Sequence, residues 1–140
     1  MTKSKTVLFW ILSLTWGLPM TLFGAVIALA LLVMGYKPKR FYHFIYFEVG
    51  EDWGGMEAGV FFFVNKNPSV HIKQHEAGHG LQNIVFGWLT PFIVSIPSAI
   101  RYWYREYLVR RKGYKYEMLP DYDAIWFEGQ ATRLGEKYFK

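Results

Sequence analysis

Residues Thr6 to Gly35, TVLFWILSLTWGLPMTLFGAVIALALLVMG, contain no charged side chain. A helix needs roughly 20 consecutive apolar residues to cross the hydrocarbon of a bilayer, and this run exceeds that. Trp10 and Trp16 lie toward its start and Tyr36 follows its end, where amphipathic rings settle at headgroup level. Pro19 sits inside the run and is expected to kink the helix, because it has no N–H to give the ladder. A hairpin at Pro19 would leave each arm too short to span. Lys3 and Lys5, with Ala28-Leu29-Ala30 as a cleavage-like site, also suit a signal peptide. The apolar run is too long for an ordinary h-region. The expectation is an integral membrane protein with an uncleaved N-terminal transmembrane helix, residues 1–36, and one further domain over 37–140. Two lysines precede the span and Lys37, Lys39 and Arg40 follow it, so the positive-inside rule favours a cytoplasmic C-terminal side.

At 140 residues the chain is one domain by length. Hydrophobic residues make 52%, aromatics 20%, and the formal net charge is +5. There is no cysteine, which excludes disulfides and a thiol nucleophile. The basic residues interleave with apolar ones. In RYWYREYLVRRKGYKYE, Arg101, Arg105, Arg110, Arg111 and Lys112 alternate with Tyr102, Trp103, Tyr104 and Tyr107. A nucleic-acid surface can look like this. Beside two apolar runs, a segment lying at headgroup level is the more economical reading. The expected partner is membrane lipid, with no nucleic acid. The second apolar run, FGWLTPFIVSIPSAI at 86–100, is broken by Pro91 and Pro97. It fits a second span, a re-entrant segment or a core loop.

Val70 to Asn83, VHIKQHEAGHGLQN, holds His75-Glu76-Ala77-Gly78-His79. Val70, Ile72, Leu81, Ile84 and Val85 recur at the spacing of a buried helix. Residues four apart on a helix lie on one side, so His75 and His79 offer two imidazole nitrogens to one metal ion. Glu76 is about 100° round from His75, close enough to take a proton from a water held there. Zinc suits two neutral imidazoles plus a carboxylate, with a fourth position open. The plain alternative is a core helix whose histidines are hydrogen-bonded. A di-iron bundle needs a second E-x-x-H unit, and Glu76-x-x-His79 is the only one. The row His71, His75, His79 suggests a membrane di-iron oxidase, but those sites are histidine-rich and only His43 remains here. Four histidines support one mononuclear site.

Ahead of this helix, FYHFIYFEV and EAGVFFFV flank a break at Gly50 to Gly55. Two aromatic and β-branched runs around a Gly- and Asp-rich break read as a β-hairpin. His43, in the first run, reads as a packed or surface histidine. Asn65, Asn67 and Pro68 form a turn, and Ser69 suits the N-cap of the next helix. The second strand then leads into the metal helix, and a peptide is expected to add to it as an extra strand. Gly78 and Gly80 each cost that helix about 1 kcal/mol relative to alanine, which points to close packing of another backbone or side chain. A last helix begins at Pro120-Asp121, with Asp121 or Asp123 as its cap. The fold class is α+β, mainly helical, with a short β-hairpin.

A zinc site with two histidines takes its third protein ligand from elsewhere, often a glutamate. By position the candidates are Asp121, Asp123, Glu128 and Glu136. HEAGHGLQN followed by WFEGQATRLG resembles the small bacterial proteins that pair an H-E-x-G-H-x-x-Q motif with a later W-x-E-x-x-A-x-x-L-G motif. Those are similar to the gluzincin metallopeptidases. The matching positions are His75, Glu76, Gly78, His79 and Gln82, then Trp126, Glu128, Ala131, Leu134 and Gly135. The resemblance covers roughly residues 59–139 and omits the N-terminal run.

It implies a zincin-like active-site helix paired with a C-terminal helix, in a protein of the bacterial cytoplasmic membrane. It implies that His75, His79 and Glu128 bind Zn2+ and that Glu76 is the general base, so that a peptide or protein substrate is hydrolysed by a Glu-activated, zinc-bound water. Gluzincins often carry an acidic residue four positions after the third ligand. Here that position is Thr132, so second support for a histidine is expected from Asp121 or Asp123, or not at all. Arg133, Tyr122 and Tyr138 are candidates by location for the oxyanion donor. If Glu128 shares the site, a simple crossing at residues 86–100 would put it on the far side, so either that segment does not cross or the metal sits within the membrane near its edge; the first is favoured. The expectation is one anchor, with the catalytic domain packed against the same membrane face. Site-2-type intramembrane proteases also carry H-E-x-x-H, but no L-D-G-type partner motif is present. The rival reading is a non-catalytic membrane scaffold or partner-binding protein with a structural or vestigial metal site.

Overall fold

The computed structural model describes residues 2–140. The chain is α+β and mainly helical, with a four-stranded sheet between helical layers. The uncharged N-terminal run is two helices, α1 (Lys3–Leu14) and α2 (Leu18–Val33), bent by 92°. Among the described residues no single helix is long and apolar enough to cross a membrane. Pro19 kinks no helix interior. It sits in the first turn of α2, where its missing N–H leaves no bond unmade. The corner is held from outside: Asn83 Nδ2 donates to the Gly17 carbonyl at 3.1 Å, and Trp16 Nε1 donates to the Val85 carbonyl at 3.0 Å. No spacing rule reveals such partners far along the chain.

The strands are β1 (Lys39–Phe41), β2 (Phe44–Glu48), β3 (Gly55–Ala58) and β4 (Phe61–Val64), in spatial order β1-β2-β4-β3. The single hairpin expected over this region is corrected, because each aromatic run folds back on itself. β1 turns antiparallel into β2 at Tyr42-His43, and β3 into β4 at Gly59-Val60. Gly59 has φ +72°, a region in which a Cβ would be strained. β2 and β4 then lie parallel, Ile45 beside Phe61 and Glu48 beside Val64. β4 is therefore an interior strand and has no edge for a peptide, contrary to expectation. The sheet edges are β1 and β3.

Strand alternation puts Phe44, Tyr46, Phe62 and Val64 on one face, packed with Phe9, Ala77 and Phe139. Phe47 and Phe63 on the other face meet Met20, Ala28 and Leu31 of α2. Both faces are covered, so the strands read as continuous apolar runs.

α3 (Val70–Phe86) starts where Ser69 Oγ accepts from the Ile72 N–H at 3.1 Å, the expected cap. After Phe86 the chain passes through a 3-10 turn (Gly87–Leu89) and a π-helical turn (Pro91–Ser95). It doubles back by 116° into α4 (Ile96–Lys112). α5 (Trp126–Tyr138) begins later than expected. Its N-cap position is Ile125, with no side-chain cap bond, so neither Asp121 nor Asp123 caps it.

α5 packs on α3 at backbone contact. A Cβ on Gly78 would run into the Ala131 carbonyl, and one on Gly135 into that of Gln74. Gly80 makes room for the Phe44 ring in the same way. These glycines offset their helix cost by letting the first turn of α5 reach the histidines of α3.

Candidate metal centre

His75 and His79, one turn apart on α3, aim their Nε2 atoms at one oxygen. Each lies 3.0 Å from Glu128 Oε2 on α5. The three candidate ligand atoms all lie within 4.8 Å of one another. All three residues are buried, Glu128 completely. Each Nδ1 has a partner of its own. Thr132 Oγ1 stands 2.7 Å from His75 Nδ1, and Gln82 Oε1 stands 2.7 Å from His79 Nδ1. An amide oxygen only accepts, so His79 Nδ1 carries the proton and its Nε2 is the atom turned toward the cluster for a metal. Gln82 also donates through Nε2 to the Phe127 carbonyl at 2.8 Å and to Gln130 Oε1 at 2.9 Å, tying α3 to the start of α5. Ser98 of α4 donates to Glu128 Oε1, which leaves Oε2 to face the histidines.

Two imidazole nitrogens and a carboxylate oxygen, each backed by an orienting partner, form a donor set that suits zinc. The residues fit one such ion, and other first-row divalent ions share this chemistry. Burial alone would push the Glu128 carboxyl up, but hydrogen bonds from His75 and His79 outweigh it and hold the group well below its usual range. Burial lowers His79, yet the Glu128 hydrogen bond and the Glu76 charge outweigh that and raise it to about 9. A proton would therefore compete with any metal ion for His79 Nε2.

Glu76 is buried beside the cluster, and burial raises its carboxyl against the pull of the two histidines. It packs against edge strand β3, where a Cβ on Gly55 would come within 2.7 Å of Glu76 Oε1. Tyr122 places its ring 5.9 Å from that of His75, edge to face. Burial pushes its hydroxyl up, so it remains a donor across the ordinary pH range. Asp123 Oδ1 comes only to 3.9 Å from His75 Nδ1. Asp121 contributes its carbonyl, which accepts from Arg101 Nη2, while its side chain is exposed. Arg133 and Tyr138 are exposed and line no part of the site. Arg133 is five residues past Glu128, about 140° round the helix, and Tyr138 is ten past it, about 15 Å along the axis. Neither is placed to meet an oxyanion. His71 is exposed near Glu136, and His43 packs on the Phe9 ring; neither joins the cluster.

Three contributors carry no role in the sequence reading. Thr132 is four residues past Glu128, a spacing that puts both on one helix face. Ser98 lies in a proline-broken apolar run that gives no hint of it. Glu57 sits on β3, buried, with no hydrogen-bond partner for Oε1, and burial pushes its carboxyl well above the usual range.

A groove of about 750 Å³ passes His75, Glu76 and His79 between α2, β3 and α4. Its lining is largely apolar and includes Pro19, Phe23, Ile96 and Trp103. A second lobe of about 510 Å³ shares His75 and Glu76 and is lined by His71, Arg105, Glu106 and Asp121.

No family model, no curated protein and no solved structure matches this chain.

Proposed function

We propose that the chain is a membrane-associated zinc metallopeptidase of the gluzincin-like kind. The observation that carries this reading is the convergence of two imidazole Nε2 atoms on Glu128 Oε2, each at 3.0 Å, with Glu76 in the same groove. A zinc ion held by His75, His79 and Glu128 would supply a Lewis acid that polarises a scissile carbonyl and brings water's pKa toward neutrality. Gln82 and Thr132 hold the imidazoles in line. Glu76 takes the proton from the attacking water and hands it to the leaving amine; a buried carboxyl raised from its ordinary value suits both transfers. The Tyr122 hydroxyl is the donor for the oxyanion. The edge of β3 beside Glu76 offers main-chain groups along which an extended peptide adds a strand.

The N-terminal helices attach the protein to the membrane, with the metal centre held against the same face. The excess of lysine and arginine after them favours the cytoplasmic side of a bacterial cytoplasmic membrane.

A non-catalytic membrane scaffold has one observation in its favour. Glu128 accepts from both histidines and from Ser98, so the cluster satisfies itself as a structural polar core does. Zinc per chain, measured for wild type beside His79→Ala and Glu128→Ala, separates the two readings when joined to hydrolysis of a peptide library by Glu76→Gln. The peptidase reading expects about one zinc in wild type, its loss in both alanine variants, and a Glu76→Gln protein that keeps zinc but does not cleave. A wild type that takes up none, or a fully active Glu76→Gln, ends that reading.

A further inference from the structure

The two sharp corners of the chain touch. Trp16, at the 92° corner between α1 and α2, donates to the Val85 carbonyl, and its ring fills the space beside Gly87 at the 116° corner. Ser95 Oγ reaches Met20 Sδ at 3.4 Å just beyond. Basic clusters lie at the opposite ends of these helices: Lys3 and Lys5 open α1, Lys37, Lys39 and Arg40 follow α2, and Arg110, Arg111 and Lys112 close α4. No acidic residue precedes Glu48. Glu106 of α4 is turned onto Arg110 and Tyr116.

The helices from these corners carry one-sided apolar faces. On α2, Leu22, Val26, Leu29 and Val33 are 58–81% exposed, at the three- and four-residue spacing of a single face. The opposite face lies along the sheet through Met20, Ala28 and Leu31. A helix covered lengthwise by a sheet cannot also be surrounded by lipid. At 16 residues it is also only about 24 Å long, short of the roughly 30 Å of hydrocarbon. The segment from Phe92 to Lys112 is graded along its length. Among its exposed residues Phe92, Ile96 and Ile100 come first, then Trp103, Tyr104 and Tyr107, then the basic end, while the half-buried Arg101 and Arg105 between them turn onto the carbonyls of Pro120, Asp121 and Tyr122. That order matches hydrocarbon, interface and anionic headgroup in turn.

We infer that the protein lies in one leaflet of an anionic bilayer, with both corners dipped into the acyl region, every basic end at the headgroups, and the apolar mouth of the metal-site groove opening at the lipid. Phe23, Ile96 and Trp103 belong both to that exposed surface and to the groove, so the two are continuous. The lobe lined by His71, Arg105, Glu106 and Asp121 carries the charged side chains that the groove beside Phe23 and Ile96 lacks. On the peptidase reading, the substrate is then a polypeptide segment held in the leaflet, drawn past His75 and Glu76 toward water.

The chain has no native cysteine, so introduced ones report cleanly. The full chain is reconstituted into vesicles of phosphatidylglycerol and phosphatidylcholine, and flotation is compared with phosphatidylcholine alone. A Ser4→Cys/Lys115→Cys protein in sealed mixed vesicles is treated with a membrane-impermeant maleimide and weighed. If both sites share one side, each molecule gains two labels or none. Single labelling throughout means the chain spans, which overturns the inference while leaving membrane attachment intact. Nitroxides at Leu29→Cys and Ala99→Cys, both exposed positions, are expected to collide with lipid-dissolved oxygen rather than with an aqueous nickel chelate. An Ala99 label that meets the chelate as freely as one at Lys115 overturns the lipid-facing groove. Failure to float with either vesicle overturns the inference together with membrane attachment, and zinc binding remains a separate result.

Discussion

Thr132 Oγ1 stands 2.7 Å from His75 Nδ1, in the position where the resemblance to gluzincins leads one to expect an acidic side chain. The hydroxyl orients the imidazole without adding a charge, and Asp123 comes no nearer than 3.9 Å. Thr132→Val keeps the volume and removes the partner. Loss of such an orienting contact costs roughly 10–100-fold in metal affinity. Competition against a chelator of known strength should show that loss, and Thr132→Ser should restore affinity. A Thr132→Val protein that binds zinc as wild type does would remove Thr132 from the site.

Gly78 and Gly135 let α3 and α5 touch at the backbone. In either one, a methyl group meets a carbonyl that cannot swing aside. Overpacking of this kind costs about 1–3 kcal/mol. Gly78→Ala should lower the unfolding temperature and, by pushing α5 outward, weaken zinc binding as well. Val85→Ala, on the exposed side of α3, should do neither. Thermal unfolding with and without zinc reads both effects.

The histidine–carboxylate pair should show itself in the pH dependence of protein stripped of metal. Glu128 has a folded value below its unfolded 4.5, so its contribution is complete above pH 4.5 and is lost as pH falls. His79 is raised from 6.5 to about 9, so its contribution is complete below pH 6.5 and is lost as pH rises through 9. The stability of wild type over Glu128→Gln should therefore be greatest between those unfolded values and shrink on both sides. Urea unfolding at about pH 3, 5.5 and 9.5 tests this. A difference that is flat across the range rules out the ion pair.

Glu57 behaves in the opposite sense. Burial raises its carboxyl above 4.5, so the folded state holds the proton more tightly than the unfolded chain and loses stability as pH rises. Glu57→Gln removes that loss. Its stability relative to wild type should climb above pH 4.5, because burial outweighs the pull of the His79 charge on the wild-type carboxylate. Equal pH slopes for the two proteins would mean that the His79 charge cancels the effect of burial.

The site is more legible in the sequence than the scaffold around it. His75, His79 and the Ser69 cap follow from spacing along one helix, and the later motif points to Glu128, which the fold brings to within 3.0 Å of both histidines. The strands are harder to read because a sheet buried on both faces shows no alternation, and because Tyr42-His43 turns the chain without glycine or proline. The α1–α2 corner depends on Asn83 and Val85, more than sixty residues away. The sequence holds those residues but not their meeting. Ser98 reaches Glu128 only after a 116° reversal, and Glu57 is hidden within a run that reads as plain core.

The glycine contact between α3 and α5 also orders events in time. The histidines and the carboxylate that faces them lie about fifty residues apart, and closing so long a loop comes late compared with local helix and hairpin formation. Until α5 docks, α3 presents a bare notch at Gly78 and two imidazoles without their acid. A nascent or half-folded chain therefore has no complete centre. For a peptidase, hydrolytic competence then arrives in the same step as the finished core, which spares a young chain from its own chemistry.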